Sequence, residues 1–347
     1  MDKLKRFIDC LVPIDSCFLR CSYCFVGQGH TFSKKIVKFK HSSSFIRQAL
    51  SIERLGGVCL INMCSAGETL LSSELIDIVV ALLEEGHYVM IVTNGILTER
   101  FKKYAKLERA LLSRLMIKFS FHYMQLKKRN LLDKFFSNFK LMREAGCSCG
   151  LELVPHDELI PYIDEVKKIC LERVGALCHL TLTRDITKRE IAHLSRYSFD
   201  EYKRIWGVFD SKMFDFKTTT FYKKRREFCY AGDWTGLLNL DTGDLLQCFS
   251  GKALGNIFTN INDPINFSPI GYNCKMPHCF NGHVFLTLGT IPELDTPSFD
   301  EMRDRVDSLY GSWLKPEMKN FMSQRLKDNN AQKGFWGKLA ARFSVRK

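Results

Sequence analysis

Over about the first two hundred residues, short apolar runs rich in β-branched residues alternate with longer segments of helical spacing. Six runs predict strands: Ile8–Ile14, Val58–Cys64, Tyr88–Thr93, Leu115–Phe121, Gly150–Val154 and Cys178–Thr183. Between them, Phe45–Leu55, Glu74–Glu84, Glu99–Leu112, Asn130–Ala145 and Ile160–Arg173 carry the helical period. Gly56-Gly57, Gly86, Asn94-Gly95, Gly146 and Gly175 punctuate the changes. Repeated β-then-α units require parallel strands joined by crossover helices. Six units suit a doubly wound sheet or a partial barrel. In a barrel the chemistry gathers at the C-terminal ends of the strands, here the loops after Ile14, Cys64, Thr93, Phe121, Val154 and Thr183.

The pattern changes near Phe199. A helical stretch, Phe199–Phe214, precedes a basic strand-like segment, Phe216–Phe228. Short turn-rich pieces with four more cysteines follow to about Leu288. Ile291–Pro297 reads as a linker, helical segments come next, and Asn329–Lys347 is basic. The expected division is 1–205, 206–290 and 291–347.

Composition sharpens this picture. Hydrophobic residues at 46% and charged residues at 26% exclude a wholly disordered or fibrous chain. The longest strictly apolar run, Ile78–Leu83, is far shorter than the roughly 20 residues that cross a bilayer. The N-terminus lacks a long apolar segment with a cleavage site, so a cytoplasmic location is expected. Lysine and arginine number 51 against 38 aspartate and glutamate, a formal net charge of +13. That excess favours an anionic partner. There are also 14 cysteines. In a reducing compartment, closely spaced cysteines bind metal or do redox chemistry more often than they form disulfides.

Cys17, Cys21 and Cys24 follow the first predicted strand at spacing C-x3-C-x2-C. An iron–sulfur cubane needs soft thiolates converging from one tight loop, and three ligands leave one iron open. A zinc knuckle is the competing reading of the same spacing. Later, Cys229 and Gly243 are separated by thirteen residues, Gly243 and Cys248 by four, and Cys274 and Cys279 by four. Four thiolates can close a second cluster completely. A structural zinc site, with His278 or His283 as alternative ligands, competes there. The other cysteines lie on apolar elements and read as buried inert thiols.

The first motif, with Tyr23 before its third cysteine, resembles the radical S-adenosylmethionine (radical SAM) superfamily. Further landmarks follow in order. Ala66-Gly67-Glu68 is similar to the family's "GGE" segment, with Ala66 in place of the first glycine. Thr93-Asn94-Gly95 matches a common family turn, and Ser120-Phe121-His122 lies where members often contact SAM. The resemblance covers about Ile8 to Arg184. It implies a partial (β/α)6 TIM-like barrel of α/β class. It also implies Cys17, Cys21 and Cys24 as ligands of a [4Fe-4S] cluster, and Tyr23, Ala66, Gly67, Glu68, Ser120, Glu152 and Arg184 as SAM contacts. The implied chemistry is reductive cleavage of SAM to a 5′-deoxyadenosyl radical that takes hydrogen from a substrate. The opening Cys229, Gly243, Cys248 resembles a small cysteine-rich SPASM/twitch-like domain, followed here by a helical C-terminal tail. With Cys274 and Cys279, it implies one auxiliary [4Fe-4S] cluster as an electron relay.

The resemblance implies reduced flavodoxin or ferredoxin as electron donor. It leaves the substrate unidentified: a sugar or other anionic metabolite, or alternatively a peptide or protein. Only sixteen residues precede Cys17, which disfavours a peptide-recognition domain there. The basic segments Lys102–Lys140 and Lys223-Lys224-Arg225-Arg226 suit an anionic substrate or simply a solvated face. A zinc-stapled nucleic-acid-binding protein is the alternative of another class; no nucleic acid is expected. Phe335–Lys347 reads as a basic amphipathic helix for an anionic membrane surface. Trp336, Leu339 and Phe343 would insert, and Lys338, Arg342 and Lys347 would meet headgroups.

Overall fold

The computed structural model describes residues 2–29, 32–33, 38–249 and 251–338. Six successive strands pair in parallel in the main sheet: β1 (Arg6–Val12), β2 (Cys59–Ser65), β3 (Tyr88–Thr93), β4 (Leu115–Ser120), β5 (Ser148–Leu153) and β6 (His179–Leu180). A small hairpin follows, β7 (Arg184–Asp185) with β8 (Ala192–His193). The last main-sheet strands are β9 (Thr235–Asn239), β10 (Asp244–Leu246) and β11 (Ala253–Asn256). The order is β11-β10-β9-β1-β2-β3-β4-β5-β6. The fold is α/β, with the parallel strands of a partial TIM-like barrel. β9 runs parallel to β1 along its free edge, so the hairpin that follows Cys229 continues the barrel's own sheet.

Strand alternation separates two cores. Ile8, Cys10, Ile61, Met63, Val89, Ile91, Ile117 and Phe119 face the outer helices in one cluster. Phe7, Leu60, Met90 and Met116 face inward and pack with Phe285, Leu314, Met318 and Phe321. The inner face therefore has an apolar floor supplied by the C-terminal part of the chain. Phe7 meets Phe285 edge-on with centroids 5.9 Å apart, and Tyr88 stacks on Phe321 at 3.6 Å.

The expected strand at Phe216–Phe228 is corrected: the chain forms the helix Lys212–Thr220 and then runs without regular structure to Cys229. Met213, Phe214, Lys217 and Thr220 are its buried residues, a helical spacing. Ser211 accepts from the Phe214 N–H. Thr218, Thr219 and Thr220 satisfy their hydroxyls on carbonyls one turn back. Tertiary burial thus overrides the strand preference of this threonine run. The expected helix Phe199–Phe214 likewise breaks, because Asp210 turns left-handed after a short 3-10 segment. Cys10, Cys59, Cys147, Cys149, Cys170 and Cys178 are buried as read from their apolar elements; Cys64 is half-buried.

The C-terminal part is fixed by a buried ion pair. Arg143 Nη2 contacts Asp307 at 2.9 Å, and Nη1 donates to the carbonyls of Ser312 and Trp313. Breaking such a pair leaves an uncompensated buried charge and costs about 3–5 kcal/mol. Arg143→Ala should lower the unfolding free energy by about that amount, measured by urea titration. A loss below about 1 kcal/mol would mean that the segment docks without this pair.

Candidate active site

The Cys17–Cys24 loop leaves the C-terminal end of β1, where the crossover topology gathers loops. Cys17, Cys21 and Cys24 are all half-buried, unlike most thiols of the barrel. Arg20 adopts positive φ (55°), which tightens the turn between the first two. Burial raises the Cys17 thiol's pKa, and the backbone N–H groups of Leu19 and Arg20 oppose that rise. Cys21 is pushed up to about 12, by burial first; the Tyr23 side chain opposes this, while Cys24 and Cys17 add to it. Amide donors directed at a sulfur favour its thiolate form and at Cys17 partly offset burial.

The loop after β2 lies directly on this one. The Glu68 N–H donates to the Ser16 carbonyl at 2.8 Å. A Cβ on Gly67 would overlap that same carbonyl, so only glycine permits the approach. Ala66 and Gly67 are half-buried, and the Gly67 N–H donates to Ser65 Oγ at 3.2 Å. Glu68 is 2% exposed. Its carboxylate accepts from the Thr93 hydroxyl (2.5 Å), the Asn94 N–H (2.7 Å) and the Leu70 N–H (3.1 Å). Burial raises its pKa against those three bonds. The side chain thereby joins the Ala66-Gly67-Glu68 segment to the Thr93-Asn94-Gly95 turn.

Tyr23 stacks on His156 with centroids 4.0 Å apart and shares a 2.8 Å hydrogen bond with His122 Nδ1. Burial lowers both histidine pKa values to about 4. Tyr23 thus ties the cysteine loop to the ends of β4 and β5. A cleft of ≈ 260 Å³ opens beside it, lined by Ser22, Tyr23, His156, Asp185, His193 and Arg196 among others.

Ser120 and Glu152 are paired neighbours on β4 and β5. Glu152 bridges Lys118 (3.1 Å) and Arg303, so its carboxylate is engaged within the protein. Arg184 stands on β7. Its Nη1 donates to the Phe280 carbonyl at 3.2 Å, and its guanidinium lies over the rings of Phe280 (4.1 Å) and Phe25 (5.4 Å). Burial lowers its pKa to about 10, with Cys279 opposing.

Cys229, Cys248, Cys274 and Cys279 form the second group, and all four are half-buried. Cys229 is pushed up to about 12, by burial first and then by Cys248 and Cys274; the Ala231 N–H and the Thr290 hydroxyl oppose this. Cys279 is raised by burial and then by Cys248, Cys229 and Cys274, so the four share one field. Gly243 sits at the β9–β10 turn with φ 82°, where a side chain would strike Phe258 and Asn256. Aromatic neighbours link the groups: Phe249 follows Cys248 and meets Phe280 at 4.7 Å; Phe280 follows Cys279 and meets Phe25 at 6.2 Å; Phe25 follows Cys24. Among the described residues, no three His, Cys, Asp or Glu side chains close around a point that could hold a single metal ion.

Sequence reasoning missed the inner polar layer. Asp9 accepts from Asn62 (2.7 Å) and Asn281 (3.3 Å), and Cys64 Sγ lies 3.5 Å from the same carboxylate. Lys118, Lys217 and Arg303 also enter it. The available signal was polar residues at alternate positions of apolar strands: Asp9, Asn62 and Lys118.

Residues 11–168 match the Radical SAM superfamily. This part of the chain is therefore a radical SAM domain, the kind that uses SAM and a [4Fe-4S] cluster. The structure is similar to Streptococcus suis SuiB bound to S-adenosylmethionine, at 15% identity and TM-score 0.54, covering 79% of this chain and 67% of that one. It is similar to SuiB bound to precursor peptide SuiA, at 15% identity and TM-score 0.53, covering 80% and 66%. It also resembles hexahistidine-tagged anSMEcpe with bound AdoMet, at 17% identity and TM-score 0.50, covering 73% and 78%. At these identities the likeness shows the fold. No curated protein sequence matches.

The contact between Gly67 and Ser16 gives a test. Gly67→Ala should displace Ser16 and Cys17 and lower SAM affinity at least tenfold, about 1.4 kcal/mol. Equilibrium dialysis of SAM on the reconstituted protein checks this. Unchanged affinity would show that the two loops need not touch.

Proposed function

We propose that Cys17, Cys21 and Cys24 ligate the SAM-binding [4Fe-4S] cluster, and that Tyr23, Ala66, Gly67, Glu68, Ser120, Glu152 and Arg184 border SAM. The observation that carries this reading is the Ala66-Gly67-Glu68 backbone pressed against the cysteine loop at the C-terminal end of β1. When bound and reduced, the cluster supplies the electron that cleaves SAM to methionine and a 5′-deoxyadenosyl radical. The chain's own residues orient and shelter that chemistry. Glu68 locks the two rim loops, Tyr23 fixes the cysteine loop on β4 and β5, and the apolar floor closes the barrel below.

Cys229, Cys248, Cys274 and Cys279 hold one auxiliary [4Fe-4S] cluster in this reading, within a SPASM/twitch-like segment at 206–290 between the barrel at 1–205 and the extension at 291–347. A structural zinc on the same four thiolates is the competing reading, and metal analysis separates the two. The aromatic series Phe249, Phe280 and Phe25 supports an electron relay. Flavodoxin or ferredoxin is the proposed donor. The substrate is a sugar or other anionic metabolite small enough to enter the polar interior. A peptide is the alternative outcome of substrate trials.

The two cysteine sets separate experimentally. The reconstituted protein should carry about eight irons. Changing Cys17, Cys21 and Cys24 together to alanine should leave about four and abolish 5′-deoxyadenosine formation. Changing Cys229 and Cys248 should also leave about four and destabilise the C-terminal module. Undiminished 5′-deoxyadenosine from the first variant would sink the assignment of the first loop. An unchanged iron count in the second would remove the auxiliary cluster.

Among the described residues, no helix is long and apolar enough to cross a membrane. We propose peripheral attachment to anionic membranes through Phe335–Lys347. Phe335 and Trp336 are 73% and 77% exposed. The assignment of Lys338 to headgroups is corrected: it pairs with Glu293 at 2.7 Å and extends toward the Phe228 ring. Leu339, Arg342, Phe343 and Lys347 lie outside the described residues. Intact protein should sediment with anionic vesicles at low salt and a chain ending at Gly334 should not; equal partitioning removes the tail from the mechanism.

A further inference from the structure

The barrel interior holds more positive charge than its carboxylates answer. Lys217 is 5% exposed, and its Nζ donates to the Thr181 hydroxyl just past β6. Arg184 is 9% exposed. Among the described residues, neither pairs with a carboxylate. Glu152 is shared by Lys118 and Arg303. The Asp9 carboxylate is occupied by Asn62, Asn281 and Cys64. His283, on the helix Gly282–Phe285, has an Nδ1 without a partner.

The placement is not scattered. Lys118 and Glu152 belong to the inward rows of β4 and β5. Thr181 follows β6, the next strand. Lys217 reaches Thr181 from the helix Lys212–Thr220. Burial, then the charges of Arg184 and Lys118, hold the Lys217 pKa well below the ordinary lysine value. Burial, then Arg303, brings Lys118 to about 7. Desolvating an unpaired ammonium costs several kcal/mol. Cys279 opposes the lowering of the Arg184 pKa; the named influences on Lys217 beyond burial are both cations.

We propose that Lys217 and Lys118, with Arg184 beside them, form a subsite for an anionic group of the substrate, a phosphate or a carboxylate. This deepens the reading of the barrel interior as the substrate chamber and rests on it. Lys217 lies outside residues 11–168, the part that matches the superfamily, whereas Lys118 lies within it. An oxyanion there would favour recharging of the depressed lysines and would then meet two ammonium groups.

The test uses full-length reconstituted protein with SAM bound and no reductant. Inorganic phosphate and succinate are titrated separately by calorimetry; the tighter one identifies the group. Lys217→Met should weaken that binding at least tenfold, Lys217→Arg should restore most of it, and Lys203→Met, on the outer helix Phe199–Trp206, should bind as wild type. In wild type above neutral pH, binding should take up a proton as the depressed lysine is recharged. Titrations in buffers of different ionisation heat read this without any variant. Absence of binding by either anion, equal binding by Lys217→Met, or binding without proton uptake overturns the proposal. So does a fall in SAM affinity as large as the fall for phosphate, which would assign the cations to SAM's own carboxylate. Failure of the radical SAM reading shows separately, as absence of 5′-deoxyadenosine from reduced wild type.

Discussion

The rim of the barrel depends on one buried carboxylate. Glu68 gathers the Thr93 hydroxyl and the amides of Asn94 and Leu70, while its own N–H holds the Ser16 carbonyl. Three loops from three strands therefore share one residue. Desolvation alone would push this carboxylate toward its neutral form; the converging donors favour the charge. Because Ser16 precedes Cys17, the position of the first thiol follows from the same contacts. The carboxylate is committed to the fold, and the half-buried Ala66 and Gly67 form the accessible part of the segment.

Below that rim the interior is layered. Phe7, Leu60, Met90 and Met116 close the floor against Phe285, Leu314, Met318 and Phe321. One pleat higher, Asp9, Asn62 and Lys118 make a polar layer on the same strands. A period of two residues separates the layers, so the strands that exclude water below carry hydrogen-bonding groups above. Arg143, held by Asp307 and the carbonyls around Trp313, keeps the floor attached. Loss of that attachment would expose the polar layer from beneath, where it needs a low dielectric to keep its charges selective.

Strands β1 to β5 were legible because their apolar runs are long and bounded by glycine turns; they lie within a few residues of the expected spans. The sixth was legible only in place, since it pairs over just His179–Leu180. The Cys17–Cys24 spacing is local information, whereas Cys229, Cys248, Cys274 and Cys279 come together only through the fold. The Lys212–Thr220 helix was not, because Thr218-Thr219-Thr220 carries a strand preference that only burial of Met213, Phe214 and Lys217 reverses. The polar layer was missed for a related reason. Asp9, Asn62 and Lys118 stand singly among apolar residues in the sequence, and only strand pairing brings them together on the face that also carries Glu152. The partners Arg303 and Asn281 arrive from more than 150 residues away from Glu152 and from more than 270 away from Asp9. No local pattern reports such contacts.

The joining of β9 to the edge of β1 has a consequence for charge as well as shape. It brings the Cys229–Cys279 group into the same body as the first cysteine loop, with Phe280 and Phe25 in contact between them. Arg184 covers both rings and donates to the Phe280 carbonyl. Of the thiols, Cys279 is the one named as opposing the cost of burying this guanidinium. Lys217 has no such thiol among its named influences. The two buried cations are therefore unequal: Arg184 touches Phe25 and Phe280 between the cysteine groups, whereas Lys217 has no carboxylate partner among the described residues and only cations among its named charged neighbours.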